Sequence, residues 1–342
     1  MLLKRLSAAF GPPGQEGEVR DLLRREIGPY VDKIWTDALG NLLAEKKGLE
    51  EGAPRVMLTA HMDEVALMIT HIEDTGLLRF KTMGGIDQRI LVSKPVVVGV
   101  KKVPGVIGSK AIHLVTPEER KRAFMLRDLY LDIGASSREE AEKLVTVGEG
   151  AVFNSSFCLL GDNRVRAKAL DDRVGCSALV EILQRQYPVT LIAAFTVQEE
   201  VGLRGARVAA FGKDIDLALV LEATMAFDVP DSKPHETVTY LGGGPALTIM
   251  DRTLIADPAL LASLRKTARE RKIPYQLRRT GTGGTDGGAI HLTEDGIPTV
   301  VMAVPCRYLH SPASVIELSD YHHLVDLTSA FLSELTEGRA DK

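Results

Sequence analysis

The N-terminal part of the chain alternates between amphipathic and strand-like stretches. A short helix and a Gly/Pro turn precede residues 15–28, whose apolar spacing predicts a second helix. Two strand-like stretches follow at residues 31–36 and 41–46. Residues 55–60 form a continuous apolar run that ends at His61, as is typical of a strand buried in a parallel sheet. The pattern predicts an α/β arrangement.

The pattern changes between about residues 65 and 160. The β-branched stretches there are short and are separated by glycine and proline. One helix is predicted at residues 137–144, where Ser-Arg-Glu-Glu has the order of a capping arrangement. Short strands with such punctuation are typical of a small barrel or sandwich. We therefore predict an inserted β domain at residues 66–161.

Beyond residue 161, predicted helices and strands alternate again. The helices are expected at residues 174–187, 203–211, 258–271 and 320–334, and the strands at residues 189–197, 217–223 and 299–304. Such alternation favours a sheet of mainly parallel strands between helices. The simplest architecture is one α/β domain, residues 1–65 and 162–342, interrupted by the inserted β domain. The length of 342 residues also favours two domains.

Composition narrows the class of protein. A formal net charge of −4 gives no sign of the basic face that a nucleic-acid partner requires. Aromatic residues make up only 5%, which offers no stacking platform for sugars. We find neither a secretory signal nor an apolar run of membrane-spanning length, so we expect a cytoplasmic protein without a membrane partner.

The three cysteines give no chemical signal of their own. Cys158, Cys176 and Cys306 have unrelated spacings, and no CxxC motif is present. This pattern indicates neither a zinc ribbon nor a redox pair. Their apolar neighbours predict buried structural thiols.

Acidic and imidazole side chains follow several of the predicted strands. They are His61 with Asp63, Asp171 with Asp172, Glu199 with Glu200, Glu222, and His310. Because ligands bind beyond the carboxyl ends of the strands, we expect these side chains at one sheet edge. Two imidazoles and several carboxylates are the ligand set of a site for two divalent metal ions. Without metal, Asp171, Glu200 and Glu222 would repel one another, although Asp171-Asp172 alone is equally explained as a helix N-cap.

Two of these segments suggest a division of roles. His61 supplies a nitrogen ligand, and Asp63 is spaced to accept a hydrogen bond from its other ring nitrogen. A metal site that activates water also needs a general base. Of Glu199 and Glu200, one is expected to bind metal and the other to move protons, and the residues alone do not decide which.

Two glycine-rich segments and a pair of arginines lie among the remaining polar positions. Residues 281–288 lack the Gly-Lys-Ser/Thr ending of a P-loop, so we interpret them as a flexible or closely packed loop beside the substrate. Residues 242–245, Gly-Gly-Gly-Pro, would let a substrate backbone approach closely. Arg278 and Arg279 would suit an acidic substrate side chain, but we interpret them as solvated arginines.

The sequence resembles the M42 metallopeptidases, the aminopeptidases that include glutamyl and deblocking enzymes and the tetrahedral TET assemblies. Six segments carry the resemblance in the family's order, namely residues 59–65, 168–176, 197–202, 221–224, 284–286 and 307–312. It implies a mixed-sheet α/β, zinc-peptidase-like catalytic domain. It also implies that the inserted segment is a small β-barrel or PDZ-like dimerisation domain.

The resemblance implies a metal ligand set as well. His61, Asp171 and Glu222 would hold one ion. Asp171, Glu200 and His310 would hold the other, so that Asp171 bridges the two. Position 222 is Asp in some relatives and Glu here, and the longer side chain would alter the geometry of the metal.

The same resemblance divides the catalytic roles and suggests partners. Glu199 would be the general base, and Asp63 would orient His61. The cofactors would be two divalent ions per subunit, Zn or Co, with Mn as a further candidate. Peptides would be the substrates, and the subunits would form a homo-oligomer, from a dimer up to a TET-like dodecamer.

The sequence thus predicts a cytoplasmic two-metal aminopeptidase that removes single N-terminal residues, with a metal-bridging hydroxide as the nucleophile. One alternative is a glycoside hydrolase, because some M42 relatives have carried an endoglucanase label. That mechanism uses two carboxylates and would leave His61 and His310 without a role. The other alternative is a non-catalytic scaffold on the same fold, against which the intact ligand set and base argue.

Overall fold

The computed structural model describes residues 1–230, 232, 238–278 and 283–335. Arg279 and the first two residues of the glycine-rich segment 281–288 lie outside the described residues. The α-helices are α1 Leu2–Ala8, α2 Gly17–Ile27, α3 Arg138–Leu144, α4 Leu170–Leu183, α5 Ala206–Ala209, α6 Pro258–Glu270, α7 Gly287–Ile290 and α8 Leu318–Glu334.

Most of the remaining regular structure is β-strand. In chain order the strands are β1 Lys33–Thr36, β2 Leu42–Lys46, β3 Arg55–His61, β4 Ala66–Ile72, β5 Leu78–Met83, β6 Pro95–Val98, β7 Val103–Ser109, β8 Leu129–Asp132, β9 Gly150–Phe153, β10 Cys158–Leu160, β11 Arg164–Ala167, β12 Thr190–Thr196, β13 Leu217–Met225, β14 Ala246–Thr248, β15 Gln276–Arg278, β16 Thr299–Arg307 and β17 Ser314–Glu317. They divide into one large sheet and one closed barrel.

The large sheet is mixed and has eleven strands among the described residues. Its main order is β1-β2-β12-β3-β13-β16-β17-β11-β10, with β14 paired to β16 and β15 paired to β14. The central strands β12, β3, β13 and β16 run parallel, and the adjacent strand on each flank, β2 and β17, runs antiparallel to them. The carboxyl ends of the four central strands therefore meet at one edge, as the sequence predicted for an α/β sheet.

Apolar side chains cover both faces of this sheet. On one face, strand residues such as Leu58 and Leu219 pack with the helices α1, α2, α4, α6 and α8. On the other face, Met57, Val220 and Val301 pack with the short helices α5 and α7. Alternation of side chains along each strand separates the two sets. The central strands are consequently buried on both sides, which explains their continuous apolar runs.

The second unit is a closed barrel with the strand order β4-β5-β8-β7-β6-β9. Its interior is a separate apolar core that includes Ile69, Leu131 and Phe153. The predicted small β barrel is thus present, and its strands lie between β3 and β10 in the chain. The exact domain division at residues 66–161 stays a prediction. β10 itself pairs with β11 in the large sheet.

Local capping explains where two helices begin. The Ser137 hydroxyl accepts a hydrogen bond from the Glu140 N–H at 3.3 Å, and the Glu140 carboxylate accepts one from the Ser136 N–H at 2.8 Å. Asp257 caps α6 by accepting from the Leu260 N–H at 2.8 Å, with proline at the first helical position.

Several sequence expectations differ from the structure. The helix expected at residues 174–187 is α4, Leu170–Leu183, which ends earlier because tighter turns lead from it to Pro188. The helix expected at residues 203–211 is reduced to the four residues of α5. Cys158 is only half-buried, because it lies in the edge strand β10.

No helix in the described part of the chain combines the length and apolarity needed to cross a membrane.

Candidate metal centre

The predicted site residues come from the carboxyl ends of the central strands. His61 is the last residue of β3, and Glu222 lies in the C-terminal half of β13. Glu199 and Glu200 follow β12, and His310 follows β16. Asp171 joins them from the start of α4. The fold brings together all five predicted ligands and the predicted base.

Asp171 lies between the two imidazoles. Its Oδ1 is 3.1 Å from His61 Nε2, and its Oδ2 is 3.2 Å from His310 Nε2. Each carboxylate oxygen therefore faces a different histidine. This is the geometry in which one carboxylate can bridge two cations.

A further carboxylate stands beside each histidine. Glu222 Oε2 is 3.6 Å from His61 Nε2, and Glu200 Oε1 is 3.2 Å from His310 Nε2. Ligand atoms of Asp171, Glu200 and His310 all lie within 4.8 Å of one another. Around Asp171, the five side chains thus form two groups, each with one imidazole and one further carboxylate.

Asp172 is a second acidic residue near His61, and its ligand atom lies within 4.8 Å of those of His61 and Glu222. Its oxygens are occupied, however, because Oδ2 accepts from the His61 N–H at 3.1 Å and Oδ1 from the Gly175 N–H at 3.0 Å. A Cβ at Gly175 would lie 2.5 Å from both oxygens. Asp172 therefore ties β3 to α4, whereas Asp171 has both oxygens directed at imidazoles.

Asp63 is buried and makes two kinds of contact. Its backbone carbonyl is 3.1 Å from His61 Nδ1, and its carboxylate is 3.5 Å from the same nitrogen. The carboxylate also accepts hydrogen bonds from the N–H groups of Glu199 and Glu200, at 3.0 and 3.1 Å. Asp63 thus contacts the first histidine and holds the backbone of the acidic pair.

Two residues that sequence reasoning missed hold the backbone just before that pair. The Val197 N–H donates to Asn41 Oδ1 at 3.0 Å, and the Gln198 N–H donates to Glu16 Oε1 at 3.1 Å. Gln198 has a φ of +56°, a left-handed conformation unusual for a residue other than glycine. Asn41, Glu16 and Asp63 come from three separate segments. Together their side-chain oxygens accept hydrogen bonds from the four consecutive N–H groups of residues 197–200. No local signal indicated this, because the contacts join residues 156 and 182 positions apart.

The barrel unit also contacts the site. His310 Nδ1 lies 3.0 Å from the carbonyl oxygen of Gly85, in the loop after β5. A Cβ at the neighbouring Gly84 would lie 2.9 Å from Glu200 Oε2. A small residue is therefore needed where this loop approaches the acidic pair.

Burial controls the protonation of the carboxylates. Burial raises the pKa of both Glu199 and Glu222 well above the usual range, and neighbouring carboxylates raise it further. Burial also raises the pKa of Glu200, although His310 opposes this. Without metal, burial and mutual repulsion therefore favour the protonated forms of these acids.

The imidazoles respond in the opposite sense. Burial lowers the pKa of His310, but the adjacent Asp171 and Glu200 carboxylates outweigh this and raise it to about 11. Burial likewise opposes protonation of His61, and Glu222, Asp171 and Asp63 raise its pKa above the usual value. In the metal-free protein, the raised pKa values of both imidazoles favour bound protons, which offset the carboxylate charge that cations would otherwise balance.

Asp286 is a further buried acid beside Glu199. Its Oδ2 accepts a hydrogen bond from the Thr196 hydroxyl, while its Oδ1 has no partner among the described residues. Burial raises its pKa to about 6, and the Asp63 charge adds to this. The sequence pointed to Asp286 only as part of a family motif, without a role.

One predicted substrate contact is a structural contact instead. The N–H groups of Gly242 and Gly244 donate to the buried Asp320 carboxylate of α8, at 2.8 and 2.7 Å. A Cβ at Gly244 would lie 2.2 Å from the Pro274 carbonyl oxygen. The expectation that a substrate backbone approaches these glycines is wrong for these two N–H groups, because they already bind a side chain.

Comparison with known proteins decides the family. A family model described as M42 glutamyl aminopeptidase matches residues 40–327. The chain belongs to the M42 family. A protein of Acetivibrio thermocellus described as a proposed aminopeptidase is 41% identical over 328 residues, 95% of this chain and 96% of its own length. This M42 protein is therefore a peptide-hydrolysing enzyme.

Two curated relatives of this M42 enzyme carry different substrate names. The lysyl aminopeptidase of Pyrococcus furiosus is 32% identical and covers 98% of this chain and 96% of its own length. The glutamyl aminopeptidase of Lactococcus lactis is 30% identical, covering 97% and 95%. Family membership alone therefore does not assign the preferred N-terminal residue.

Solved structures share the whole fold. Aminopeptidase APDkam598 of Desulfurococcus kamchatkensis has a TM-score of 0.95 at 39% identity, covering 99% of this chain and 96% of its own. The Pyrococcus horikoshii TET1 peptidase has a TM-score of 0.86 at 37% identity, covering 97% and 98%. A Thermotoga maritima structure titled endoglucanase has a TM-score of 0.82 at 34% identity, covering 99% and 98%. The mixed α/β fold with its barrel is thus shared along nearly the whole chain.

Proposed function

We propose that this M42 enzyme is a two-metal aminopeptidase that removes single residues from the N-termini of peptides. His61, Asp171 and Glu222 would hold one ion, and Asp171, Glu200 and His310 the other. The observation that carries this proposal is the Asp171 carboxylate, whose oxygens lie 3.1 and 3.2 Å from the Nε2 atoms of different histidines. A carboxylate with that environment is suited to bridge two ions.

The donor set fits divalent cations. Imidazole nitrogens and carboxylate oxygens suit Zn, Co and Mn, so the ligands alone do not select among them. Glu200 Oε1 is buried without a hydrogen-bond donor among the described residues, which a bound cation would remedy. When bound, such ions polarise the scissile carbonyl and lower the pKa of water.

Glu199 is proposed as the general base. Its carboxylate would take a proton from the attacking water and deliver it to the amide nitrogen of the leaving peptide. The water oxygen forms a bond with the scissile carbonyl carbon, and the bond between that carbon and the leaving nitrogen breaks. Burial raises the pKa of Glu199 from its acidic reference value, which is the direction that suits a residue that both takes up and delivers a proton.

Asp63 is proposed as a positioning residue for both halves of the site. Its contacts to His61 Nδ1 fix the ring, and its hydrogen bonds to the Glu199 and Glu200 N–H groups fix the acidic pair. Partners of this kind set the orientation of metal-binding histidines in other proteins.

A homo-oligomer is part of the proposal. The Pyrococcus horikoshii TET1 peptidase can assemble into a tetrahedron or a large octahedral shell. We propose the barrel, at residues 66–161, as the dimerisation domain, with assemblies from a dimer to a TET-like dodecamer as the candidates. The cytoplasmic location stays a prediction from the sequence.

A glycoside hydrolase is the second candidate, because the Thermotoga maritima relative is titled an endoglucanase. That reaction needs a carboxylic acid and a carboxylate on either side of a sugar bond. It gives no role to His61 and His310, whose Nε2 atoms lie 3.1 and 3.2 Å from Asp171. The contacts of these histidines therefore favour the peptidase.

Glu199→Gln tests the proposed mechanism. The variant keeps every proposed metal ligand but loses the base, so turnover of amino-acid p-nitroanilides should fall at least ~100-fold, in the range expected for general-base catalysis. Metal content, measured by mass spectrometry, should equal that of the wild type. Glu270→Gln is a matched control, because Glu270 is exposed on α6 and lies far along the chain from the site segments.

Activity retained in Glu199→Gln would contradict the assignment of the base. A parallel assay on a soluble cellulose derivative separates the second candidate. Hydrolysis of that polymer, together with no cleavage of any amino-acid amide, would favour the glycoside hydrolase.

A further inference from the structure

Arg278 lies on the same sheet face as the candidate metal ligand Glu222. In the strand register, Glu222 of β13 is opposite Ala303, and Ala303 is opposite Ala246 of β14. Ala246 in turn pairs with Gln276, so Arg278 follows two positions along β15. Because residues two apart in a strand share a face, Arg278 stands on the face that carries Glu222.

The Arg278 side chain is buried, with an exposed fraction of only 7%. The sequence-based interpretation of a solvated arginine is therefore wrong. Its Nε atom has no hydrogen-bond partner among the described residues. Thr248, which is opposite Arg278 in the register of β14 and β15, also has a buried hydroxyl without a described partner. Two neighbouring polar groups thus have unused hydrogen-bonding capacity.

The acids near Arg278 act on its charge through space, without a direct ion pair among the described residues. Asp251 is the acid with the strongest electrostatic effect on it, but Asp251 Oδ1 accepts from the N–H groups of Thr253 and Leu254 at 2.7 and 2.9 Å. Asp251 Oδ2 accepts from the Thr285 hydroxyl at 3.0 Å. The Asp251 carboxylate is therefore already satisfied by other donors.

Glu222 and Asp171 are also within electrostatic range of Arg278. The guanidinium therefore acts through space on two residues of the candidate metal centre. Both carboxylates belong to the proposed ligand set, and bound cations would take up their charge. Arginine remains protonated even when buried, so a charged guanidinium whose Nε has no partner among the described residues would remain within electrostatic range of the site.

We propose that Arg278 is a specificity residue that binds the side-chain carboxylate of an N-terminal Glu or Asp residue of the substrate. This inference rests on the proposed aminopeptidase function. A planar guanidinium can hold a carboxylate through two parallel hydrogen bonds, which satisfies both the unused donor and the buried charge. A substrate lysine would instead bring a second cation to the same position.

The named relatives do not decide between an acidic and a basic substrate residue. Their names divide between lysyl and glutamyl aminopeptidases at almost equal identity to this chain. The positive charge of Arg278 favours an acidic substrate side chain over that of lysine.

The test compares the kcat/KM of the metal-loaded enzyme for Glu, Asp, Leu and Lys p-nitroanilides. The wild type should cleave the Glu or Asp substrate best. In Arg278→Met, the ratio of kcat/KM for that acidic substrate over Leu should fall about 100-fold, since a site built to bind a polar group discriminates strongly. In Arg278→Lys the same ratio should fall less, because lysine keeps the positive charge but cannot make two parallel hydrogen bonds.

The substrate ratio cancels any loss of folded enzyme, because both substrates are assayed on the same preparation. Arg271→Met is the matched control, since Arg271 is largely exposed after α6 and pairs with Glu334 at 2.9 Å. Its substrate ratio should equal that of the wild type.

Two results would overturn the proposal. One is a wild type that prefers Leu or Lys, and the other is an unchanged ratio in Arg278→Met. In both cases the proposed aminopeptidase function would stand. A wild type that cleaves none of the four amides, with metal bound, would reject the aminopeptidase function and this inference together.

Discussion

Two clusters of buried charge lie side by side in this enzyme, and they are built differently. In the first, which we call the Glu64 network, Lys168 Nζ lies 2.6 Å from Glu64 Oε1 and Arg173 Nη2 lies 3.3 Å from the same oxygen. Arg173 Nε also donates to the Met62 carbonyl at 3.0 Å, and Lys168 Nζ to the Ala9 carbonyl at 3.3 Å. Cations outnumber the carboxylate, and backbone carbonyls take up the remaining donors.

The second cluster is the candidate metal centre, where carboxylates outnumber imidazoles. Glu200 Oε1 there has no donor among the described residues, and burial raises the pKa of Glu222 and Glu199. The same two chain segments supply both clusters, at residues 61–64 and 168–173. A network whose donors and acceptors are all hydrogen-bonded thus fixes the backbone, while the cluster with unused acceptors keeps its capacity for ligands.

The largest effect on stability is expected from Lys168→Met. The substitution leaves Glu64 with Arg173 alone, and breaking a buried ion pair costs about 3–5 kcal/mol. Urea denaturation of the metal-loaded variant should show this loss. Lys266→Met, which removes an exposed lysine 3.9 Å from Glu270, should cost less than about 0.5 kcal/mol. Equal losses in the two variants would contradict the contrast between buried and exposed pairs.

The next expectation concerns pH, which should affect the metal centre. The His310 pKa in the metal-free protein is about 11, above the ordinary 6.5, so the folded form binds this proton more tightly than the unfolded form. That stabilisation is full below pH 6.5 and is lost as the pH rises towards 11. The raised pKa of Glu222 acts in the same direction.

Metal binding should reverse this dependence, because the ligands bind cations better as they lose protons. The difference in Tm between metal-loaded and chelator-treated enzyme should therefore widen from pH 6 to pH 9. Thermal melts at several pH values measure it. A Tm of the chelator-treated enzyme that rises over this range would conflict with the assigned protonation states.

A smaller effect is expected from Glu16, which binds the Gln198 N–H at 3.1 Å and the Gly14 N–H at 2.7 Å. Glu16→Ala should lower kcat about 10-fold, the effect of about 1.4 kcal/mol on the barrier, because the backbone before Glu199 loses one of its acceptors. Glu16→Gln keeps an acceptor oxygen and should restore most of kcat.

Glu18→Ala is the control for Glu16, since Glu18 lies nearby on α2 but pairs with Lys102 at 2.8 Å on the surface. Steady-state kinetics on one substrate separates kcat from KM. An unchanged kcat in Glu16→Ala, or equal losses of kcat in the Ala and Gln variants, would rule out a role for Glu16 as the acceptor that holds the backbone before Glu199.

Much of the fold was predictable because the apolar runs are long and ordered. The run that ends at His61 and the run before Glu199 are buried central strands, and their parallel pairing brings their ends together. The site residues could be found for the same reason. Each follows such a run, lies in its C-terminal half as Glu222 and His61 do, or begins the helix that faces it, so sequence order alone indicated one sheet edge.

The remaining features depend on contacts that a linear pattern does not contain. Asn41 and Glu16 reach residues 197 and 198 from the N-terminal region. The Gly85 carbonyl reaches His310 across 225 residues of sequence. The burial of Arg278 depends on its position in β15, which follows from the pairing with β14. Tertiary packing determines all of these contacts.

In the proposed mechanism Asp171 would bridge two metal ions, and counting the bound ions tests this most directly. Mass spectrometry of the metal-loaded wild type under native conditions should find two ions per chain. Asp171→Asn should lose metal from both positions, whereas the exposed control Asp162→Asn should retain both ions. Two ions retained in Asp171→Asn, or only one in the wild type, would contradict the claim.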